Sequence, residues 1–392
     1  MTAKTSIIGI PAEIFENCNC VSMVPEIVKK FVQLGYNVLV EKDAGEKAFY
    51  SNELYREAGA EIIENTNELW EKSDIILKLR PPMLNKKLKK HELDLMKENA
   101  LIISYLAPTL NPQIVEKLVS NKLSGFAMEL IPRISRAQPM DALSTMSSIM
   151  GYRASILAAN YLGKFFPLLM TAAGTIQPAS VLVIGAGVAG LQAIATCRRL
   201  GAKVEAFDTR PAVKEQIESL GAKFIEMELP EDTETKYGYA KEVSEEFIKK
   251  EMEAIGSRLP YMDVVITTAL VYGRKAPLLI TEEMVKLMKP GSVIIDLAAD
   301  SGGNCQLTRA GKTISKYGVT IHGAIDLPSQ MPLHTSWMYS RNLFNAFNNI
   351  FKPGEDDIDF DDEINKNAFV TYKGKLISEM LKQMDNFKKF ME

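Results

Sequence analysis

Residues 180–190 read Ser-Val-Leu-Val-Ile-Gly-Ala-Gly-Val-Ala-Gly, and this stretch decides the fold of the chain. Its apolar, β-branched run predicts a buried strand, and the Gly-x-Gly-x-x-Gly spacing predicts a tight turn that opens a helix. Asp208 ends the next predicted strand, at about the spacing expected for an acid that binds ribose hydroxyls. Residues 180–197 are apolar for long enough to cross a membrane, but the glycine pattern favours a strand, a turn and a helix.

Each glycine of this turn has its own role in a dinucleotide site. Gly185 permits the tight turn, Gly187 lets the backbone approach a pyrophosphate, and Gly190 lets the helix pack closely on the strand. The pyrophosphate is expected at the helix N-terminus, where free N–H groups favour an anion. Asp208 can accept hydrogen bonds from both ribose hydroxyls and would repel a 2′-phosphate, which predicts NAD(H) over NADP(H), although Arg210 nearby weakens that preference. The alternative is a doubly wound domain that has lost its nucleotide.

Short β-branched runs alternate with helical stretches along most of the chain. The predicted strands cover residues 6–10, 37–40, 74–78, 100–104 and 124–128, then 180–185, 203–208, 223–227, 263–268, 292–296 and 319–323. The predicted helices cover residues 24–35, 85–99, 141–173, 212–220, 281–288, 336–351 and 374–392. This alternation predicts an α/β protein with two doubly wound Rossmann-like domains, mainly parallel sheets and long connecting helices.

The domain boundaries follow from where the alternation stops. Residues after 326 have no strand series of their own, so we expect them to pack back on the first domain. The prediction is a discontinuous N-terminal α/β domain of residues 1–146 plus 328–392, with a Rossmann NAD(H)-binding domain of residues 147–327 between its two segments. The alternative is a separate C-terminal appendage, which would bury little core of its own.

The composition excludes several classes of protein. Among 392 residues 46% are hydrophobic and 24% are charged, which excludes general disorder. The net charge of −3 argues against a nucleic-acid partner. Four cysteines make no disulfide framework, and three histidines give few ligands for a metal, so no metal site is predicted. The N-terminus resembles a first strand rather than a signal peptide, and no direct membrane insertion is expected.

A second candidate motif runs from Arg133 through Gln138 and Asp141 to Ser144. It follows a predicted strand and precedes a long helix, which is where α/β proteins place ligands. Asp141 could equally favour a helix N-terminus with Arg133 as its ion-pair partner, and the residues alone leave both interpretations open. No nucleophile elbow, Walker motif or His-Glu-x-x-His is present. Hydride transfer between two nicotinamide rings would need none of these, because no proton moves with the hydride and positioning suffices.

The segment of residues 226–246 is long, charged and carries Tyr237 and Tyr239. Connections in such folds are normally about 2–6 residues, and longer ones are often lids. The segment is either a solvated surface loop or a mobile flap that places a tyrosine on a bound ligand.

The sequence closely resembles the NAD(H)-binding α-subunit component of proton-translocating NAD(P) transhydrogenases. The resemblance rests on segments that begin at Pro132, Gly151, Val183, Ala206, Val213, Gly238, Thr267, Gly302 and Asp326. It implies that Arg133, Gln138, Asp141 and Ser144 hold the nicotinamide end and act in catalysis. The implied cofactor-binding residues are Gly185, Ala186, Gly187, Val188, Ala189, Gly190, Asp208, Thr209, Arg210, Tyr239, Thr268, Ala269 and Leu270.

The resemblance also implies partners and a location. The family component is a homodimer that docks a separate NADP(H)-binding component and, through it, membrane-spanning subunits that translocate protons. Hydride passes directly between NADH and NADP⁺, and Tyr239 closes on the bound nucleotide. The expected location is cytoplasmic, peripheral on the inner face of the cell membrane through the complex.

Two other functions are weighed against this one. Alanine dehydrogenase is related, but its arginine, lysine, histidine and aspartate fall on Cys20, Arg80, Ala107 and Asp300 here, so only the aspartate survives. Losing the general acid/base alone would cost roughly 10²–10⁴-fold in rate. A non-catalytic NAD(H) sensor would need no nicotinamide loop. The chain also departs from the transhydrogenase pattern at Cys20-Val-Ser and at residues 271–275.

Overall fold

The computed structural model describes residues 6–227, 245–270, 275–352 and 357–390. The chain divides into two compact units, one of Met1–Met146 with Pro328–Glu392 and one of Ser147–Leu327. Among the described residues, no helix combines the length and apolarity needed to cross a membrane.

The strands and helices are numbered in chain order. The strands are β1 Ile7–Ile10, β2 Asn37–Glu41, β3 Glu61–Ile63, β4 Ile75–Leu77, β5 Leu84–Asn85, β6 Lys90–His91, β7 Leu101–Ser104, β8 Ser124–Ala127, β9 Leu169–Thr171, β10 Gly174–Ile176, β11 Ser180–Ile184, β12 Lys203–Phe207, β13 Lys223–Phe224, β14 Val264–Thr267, β15 Val293–Asp296, β16 Thr313–Lys316, β17 Val319–Gly323, β18 Phe369–Tyr372 and β19 Lys375–Leu376. The α-helices are α1 Pro25–Gln33, α2 Asn52–Glu57, α3 Thr66–Lys72, α4 Pro112–Ser120, α5 Ala142–Tyr161, α6 Val188–Arg199, α7 Lys214–Ser219, α8 Glu245–Arg258, α9 Glu282–Val285, α10 Pro332–Ile350, α11 Glu363–Ala368 and α12 Glu379–Lys382.

The first unit is built on one sheet in the order β19-β18-β8-β7-β4-β1-β2-β3. The six strands from β8 to β3 pair in parallel, whereas β18 and β19 pair antiparallel. Strands such as β4 and β7 are buried along their whole length. Sheets covered on both faces need such uninterrupted apolar strands, and this explains why their sequences show no polar alternation.

The second unit has the sheet order β13-β12-β11-β14-β15-β17-β16. All neighbours pair in parallel except β16 and β17, which form an antiparallel hairpin. The chain goes outward from β11 to β13 and then returns to the other side of β11. A parallel sheet binds ligands at such a reversal, outside the carboxyl ends of its strands. The predicted fold class, α/β with two doubly wound and mainly parallel sheets, is confirmed by these topologies.

Several predicted helices have different ends or are absent. The helix predicted over residues 141–173 ends at Tyr161, and residues 169–176 form the β9–β10 hairpin, with Gly174 in a left-handed conformation (φ 122°). The boundary between the units falls inside α5 on one side and after the first residue of the turn at residues 327–330 on the other. The helix predicted over residues 374–392 is also wrong, because this segment contributes β19, the short α12 and a 3₁₀ turn.

The helix predicted over residues 85–99 is wrong as well, because this segment contains the β5–β6 hairpin. Asn85 decides this, since its Oδ1 accepts hydrogen bonds from the Lys87 and Leu88 amides at 3.0 and 3.1 Å. This side-chain turn competes with the helix, and Lys89 then takes a positive φ of 53°.

A fully buried lysine ties three segments of the first unit together. Lys78 Nζ lies 2.6 Å from Glu13 Oε2 and 3.6 Å from Glu92 Oε2. Both carboxylates also accept backbone hydrogen bonds, from the Leu79 amide at 2.6 Å and the Met83 amide at 2.9 Å. Burial alone would lower the pKa of Lys78, but the two carboxylates outweigh it and the pKa is raised. Burial raises the pKa of Glu92 to about 7.

Replacing Lys78 by alanine should destabilise the first unit strongly. The change leaves Glu13 and Glu92 buried without their cation, and breaking such a cluster costs about 3–5 kcal/mol of unfolding free energy. Urea unfolding at neutral pH measures this. The matched control is Lys72→Ala, which removes an exposed lysine 2.6 Å from Glu68 and should give no resolvable change. Equal midpoints for the two variants would contradict a stabilising role for the buried cluster.

Candidate functional site

The glycine turn of the second unit depends on two close backbone approaches. Gly185 has a φ of +92° and its amide donates to the Phe207 carbonyl at 2.8 Å, so the turn leaves β11 against the end of β12. A Cβ atom built on Gly190 would lie 1.9 Å from the Gly185 carbonyl oxygen, which no side chain tolerates. These two glycines therefore fix the start of α6 against the end of β11, as the sequence predicts for the first and third glycines of the motif.

The middle glycine faces open space. A Cβ atom on Gly187 would meet no other atom within 4 Å, and its φ of −72° suits any residue. Gly187 is also the N-cap of α6, and no side chain caps this helix. Ala186, Val188 and Ala189 complete the turn and the first residues of the helix. The result is a helix N-terminus with free space in front of it, which suits a phosphate group.

Asp208 lies directly after β12 and is only 7% exposed. Its Oδ2 accepts a hydrogen bond from the Ala186 amide at 2.6 Å, so the carboxylate is attached to the glycine turn itself. The Arg210 guanidinium donates to both carboxylate oxygens at 2.9 Å, and the Arg210 amide donates to Oδ1 at 2.8 Å. Thr209, between them, is half-buried. Asp208 thus lies at the end of β12 beside the glycine turn, with the Arg210 guanidinium bound to its carboxylate.

The end of β14 closes the third side of this turn. Thr268 Oγ1 donates to the Gly185 carbonyl at 3.0 Å, and the Ala269 amide donates to Asn304 Oδ1 at 3.1 Å. Leu270 follows with an exposed side chain. The predicted residues Thr268, Ala269 and Leu270 therefore adjoin the glycine turn in the same unit.

A buried aspartate that the sequence did not single out stabilises the segment that binds Ala269. Asp296, at the end of β15, accepts five hydrogen bonds and is fully buried. Two of them come from the Asn304 and Cys305 amides at 2.9 and 3.1 Å. The Asn304 side chain in turn donates to the Ala269 carbonyl at 2.9 Å. In the sequence, the Gly302-Gly-Asn-Cys segment was the feature that could have pointed to this network. Its residues carry no charge, so the sequence suggested no role for them.

The loop of residues 133–144 belongs to the first unit. Asp141 Oδ1 accepts from the Ser144 amide at 2.8 Å and Oδ2 accepts from Ser144 Oγ at 2.6 Å. The Asp141 amide donates to the Gln138 carbonyl at 3.2 Å. Arg133 and Gln138 have exposed side chains. Asp141 therefore caps α5, as one of the two sequence interpretations holds, and the cap also fixes the Ser144 hydroxyl.

Helix α10 fixes the position of this loop within the first unit. The side-chain amides of Asn342 and Asn345 both donate to the Pro139 carbonyl, at 2.8 and 3.0 Å. Arg136, in the same loop, forms a salt bridge of 2.8 Å with Asp362, the residue before α11. These two hydrogen bonds to the Pro139 carbonyl restrain the loop backbone. The side chains of Arg133 and Gln138 remain exposed at the surface.

Tyr237 and Tyr239 lie outside the described residues. Residues 271–274, which belong to the segment that departs from the transhydrogenase pattern, also lie outside them. Among the described residues no group of three or more histidine, cysteine or acidic side chains could hold a metal ion.

Two family models cover most of the chain. The model "Alanine dehydrogenase/PNT, N-terminal domain" matches residues 9–150, and "Alanine dehydrogenase/PNT, C-terminal domain" matches residues 154–379.

The chain belongs to the alanine dehydrogenase/PNT family.

Within this family the chain is similar to transhydrogenase α subunits. It is 48% identical over 340 residues to an NAD(P) transhydrogenase subunit alpha protein of Rhodospirillum rubrum, covering 86% of this chain and 88% of that protein. It is 45% identical over 374 residues to NAD(P) transhydrogenase subunit alpha of Haemophilus influenzae, covering 95% of this chain and 72% of that protein. The crystal structure of transhydrogenase from Sinorhizobium meliloti matches with a TM-score of 0.84 and 38% identity, covering 95% of this chain and 100% of that one. The resemblance predicted from the sequence is confirmed.

In this alanine dehydrogenase/PNT protein, two glycine variants separate folding from nucleotide binding. Gly190→Ala should lower both the melting temperature and NADH affinity, since its Cβ atom overlaps the Gly185 carbonyl and overpacking costs about 1–3 kcal/mol. Gly187→Ala should leave the melting temperature unchanged, because its Cβ atom meets nothing, yet weaken NADH binding by occupying the space in front of α6. Thermal unfolding and calorimetric titration measure the two effects. Unchanged NADH affinity in Gly187→Ala would contradict this placement of the pyrophosphate.

Proposed function

We propose that the chain is the NAD(H)-binding subunit of a proton-translocating NAD(P) transhydrogenase. In this function hydride passes directly between NADH bound here and NADP⁺ bound on a partner component. One observation carries the proposal: the glycine turn presents free space at Gly187 and bonds through Ala186 to the Asp208 carboxylate. A ribose-binding acid attached to an open phosphate-binding turn suits a dinucleotide better than an isolated phosphate.

The adenosine half of NADH is assigned to the second unit. The α6 N-terminus binds the pyrophosphate, because its first amides have no side-chain cap. The Asp208 carboxylate accepts hydrogen bonds from the adenosine ribose hydroxyls. Arg210 orients the carboxylate through two hydrogen bonds of 2.9 Å. Thr209, Thr268, Ala269 and Leu270 line the ends of the neighbouring strands.

The nicotinamide is assigned to Arg133, Gln138, Asp141 and Ser144. Arg133 and Gln138 have exposed donors on a loop whose backbone is fixed by Asn342 and Asn345. Asp141 orients the Ser144 hydroxyl at 2.6 Å, so that its oxygen can accept from a carboxamide. These residues supply orientation alone, which is what a direct hydride transfer requires.

The remaining elements of the proposal come from the family. Tyr239 closes on the bound nucleotide, and the chain forms a homodimer that docks an NADP(H)-binding component. Membrane-spanning subunits then couple hydride transfer to proton translocation. The subunit is cytoplasmic and peripheral on the inner face of the cell membrane, where the complex holds it.

Oxidation of alanine is disfavoured by one position in the first unit. The acid/base histidine of alanine dehydrogenases falls on Ala107 here, which has a positive φ of 45°. The buried Glu129 carboxylate holds the Ala107 and Leu106 amides. A methyl group there can move no proton, and a dehydrogenase would lose roughly 10²–10⁴-fold in rate.

A single-turnover experiment tests the proposal. Purified chain with NADH is mixed in a stopped-flow instrument with an NADP⁺-loaded partner component from a transhydrogenase, and NADPH formation is followed. Rapid NADPH formation that requires both proteins is the expected result. NADH binding and complex formation without any transfer would contradict the hydride-transfer function and leave a nucleotide sensor. Turnover of alanine with NAD⁺ by the chain alone would establish a substrate dehydrogenase instead.

Asp141→Asn should separate transfer from binding. Asparagine still caps a helix, so α5 and the melting temperature should be preserved. The fixed acceptor for Ser144 is changed, and we expect the single-turnover rate to fall by about tenfold or more, while NADH affinity changes by less than about threefold. Asp43→Asn, an exposed carboxylate of the same unit, is the control and should change neither quantity. Equal losses of rate and affinity would contradict an orienting role.

A further inference from the structure

A buried glutamate on α8 has no function in the proposal so far. Glu251 is only 8% exposed, whereas Glu253 on the same helix is exposed to solvent. One turn later on the same face lies Ile255, followed by Leu259, and both are fully buried in one apolar cluster with Phe207 of β12. Residues one turn apart share a helix face, so Glu251 faces the same side of the sheet. Asp208 follows Phe207 directly.

The direction of α8 brings Glu251 to the ligand edge of the sheet. The helix precedes β14, which pairs in parallel with β11, so its early turns adjoin the carboxyl ends of the strands. Asp208 follows Phe207, which shares an apolar cluster with Ile255 and Leu259 of α8, so Glu251 and Asp208 lie on neighbouring elements. Burial first, and Asp208 second, raise the pKa of Glu251 to about 7.

The described cations nearest to Glu251 in the fold are bound to other carboxylates. Within the part of the chain that the structure describes, no donor or cation bonds to its carboxyl group. The charged groups on the adjacent elements are already paired: Arg210 with Asp208 at 2.9 Å, Arg258 Nε with Glu205 at 2.7 Å, and Lys214 with Glu226 at 2.5 Å. Among the described residues, none therefore compensates the negative charge that an ionised Glu251 adds on the side of Asp208.

We propose that Glu251 is a second specificity residue of the nucleotide site, and that its carboxylate acts with Asp208 to select a ribose 2′-hydroxyl over a 2′-phosphate. Because Arg210 offsets the charge of Asp208, the first acid alone would reject a phosphate weakly. A 2′-phosphate brings about −1.5 to −2 charges next to this pair of acids. The inference rests on the proposed binding of NAD(H) in the second unit.

Two nucleotides that differ only in the 2′ group test the inference. Calorimetry at pH 8.5 gives the dissociation constants of 5′-AMP and adenosine 2′,5′-bisphosphate, and their ratio measures the rejection of the phosphate. Glu251→Gln should reduce this ratio by about tenfold, the effect of one charge partly screened by water. Glu253→Gln removes an exposed carboxylate from the same helix and should change the ratio by less than about twofold.

The pH dependence gives an independent readout. Below its pKa Glu251 is neutral and resembles glutamine, so wild type and Glu251→Gln should have the same ratio at pH 6 and diverge as pH rises to 8.5. The second ionisation of the phosphate, near pH 6, affects both proteins equally. Losing an uncompensated buried charge should also leave the melting temperature at pH 8.5 unchanged or higher.

Three results would overturn the inference. An unchanged ratio in Glu251→Gln shows that its charge does not reach the 2′ position. Equal weakening of both nucleotides with a lower melting temperature shows a structural role, in which Glu251 supports the fold. Failure of the wild type to bind 5′-AMP or NADH contradicts the proposed function itself, and that result is distinct from the other two.

Discussion

The contact of two peptide groups, with Gly190 packed on the carbonyl of Gly185, is the constraint on which the proposed nucleotide site depends. It sets the start of α6 against the end of β11, and from this follow the free space at Gly187 and the direction of the Ala186 amide. The Ala186 amide donates to the Asp208 carboxylate, and the Thr268 hydroxyl donates to the Gly185 carbonyl. The ends of β11, β12 and β14 thus meet at one turn, because no side chain lies between Gly185 and Gly190.

Much of this arrangement could be predicted from the sequence, because it depends on local patterns. The β-branched runs of both sheets, the glycine spacing and the position of Asp208 each reflect a requirement of the backbone at a single place. The helix predicted over residues 85–99 is absent because one side chain, Asn85, bonds to backbone amides and stops a helix that the apolar spacing allows.

The roles of Asp296 and Asn304 could not be predicted, because they arise from contacts between segments distant in sequence. Asp296 accepts hydrogen bonds from amides of the segment after β15 and from a hydroxyl of β14. No sequence spacing predicts that these donors meet at one carboxylate. Glu251 was equally hidden, since a glutamate on a helix is normally solvated. The cap formed by Asp141 was predicted as one alternative, and the geometry shows that one carboxylate both caps α5 and binds the Ser144 hydroxyl, each through a different oxygen.

The way the first sheet is completed has a consequence for synthesis of the chain. Strand β18 covers the edge of β8, and its residues are made only after the entire second unit. Residues 147–327 are contiguous and can acquire their structure while translation continues, whereas the first unit has an open strand edge until residue 372 emerges. An uncovered edge beside apolar strands can pair with other chains. The β8 edge of the first unit therefore remains without its β18 partner until the whole second unit has been synthesised.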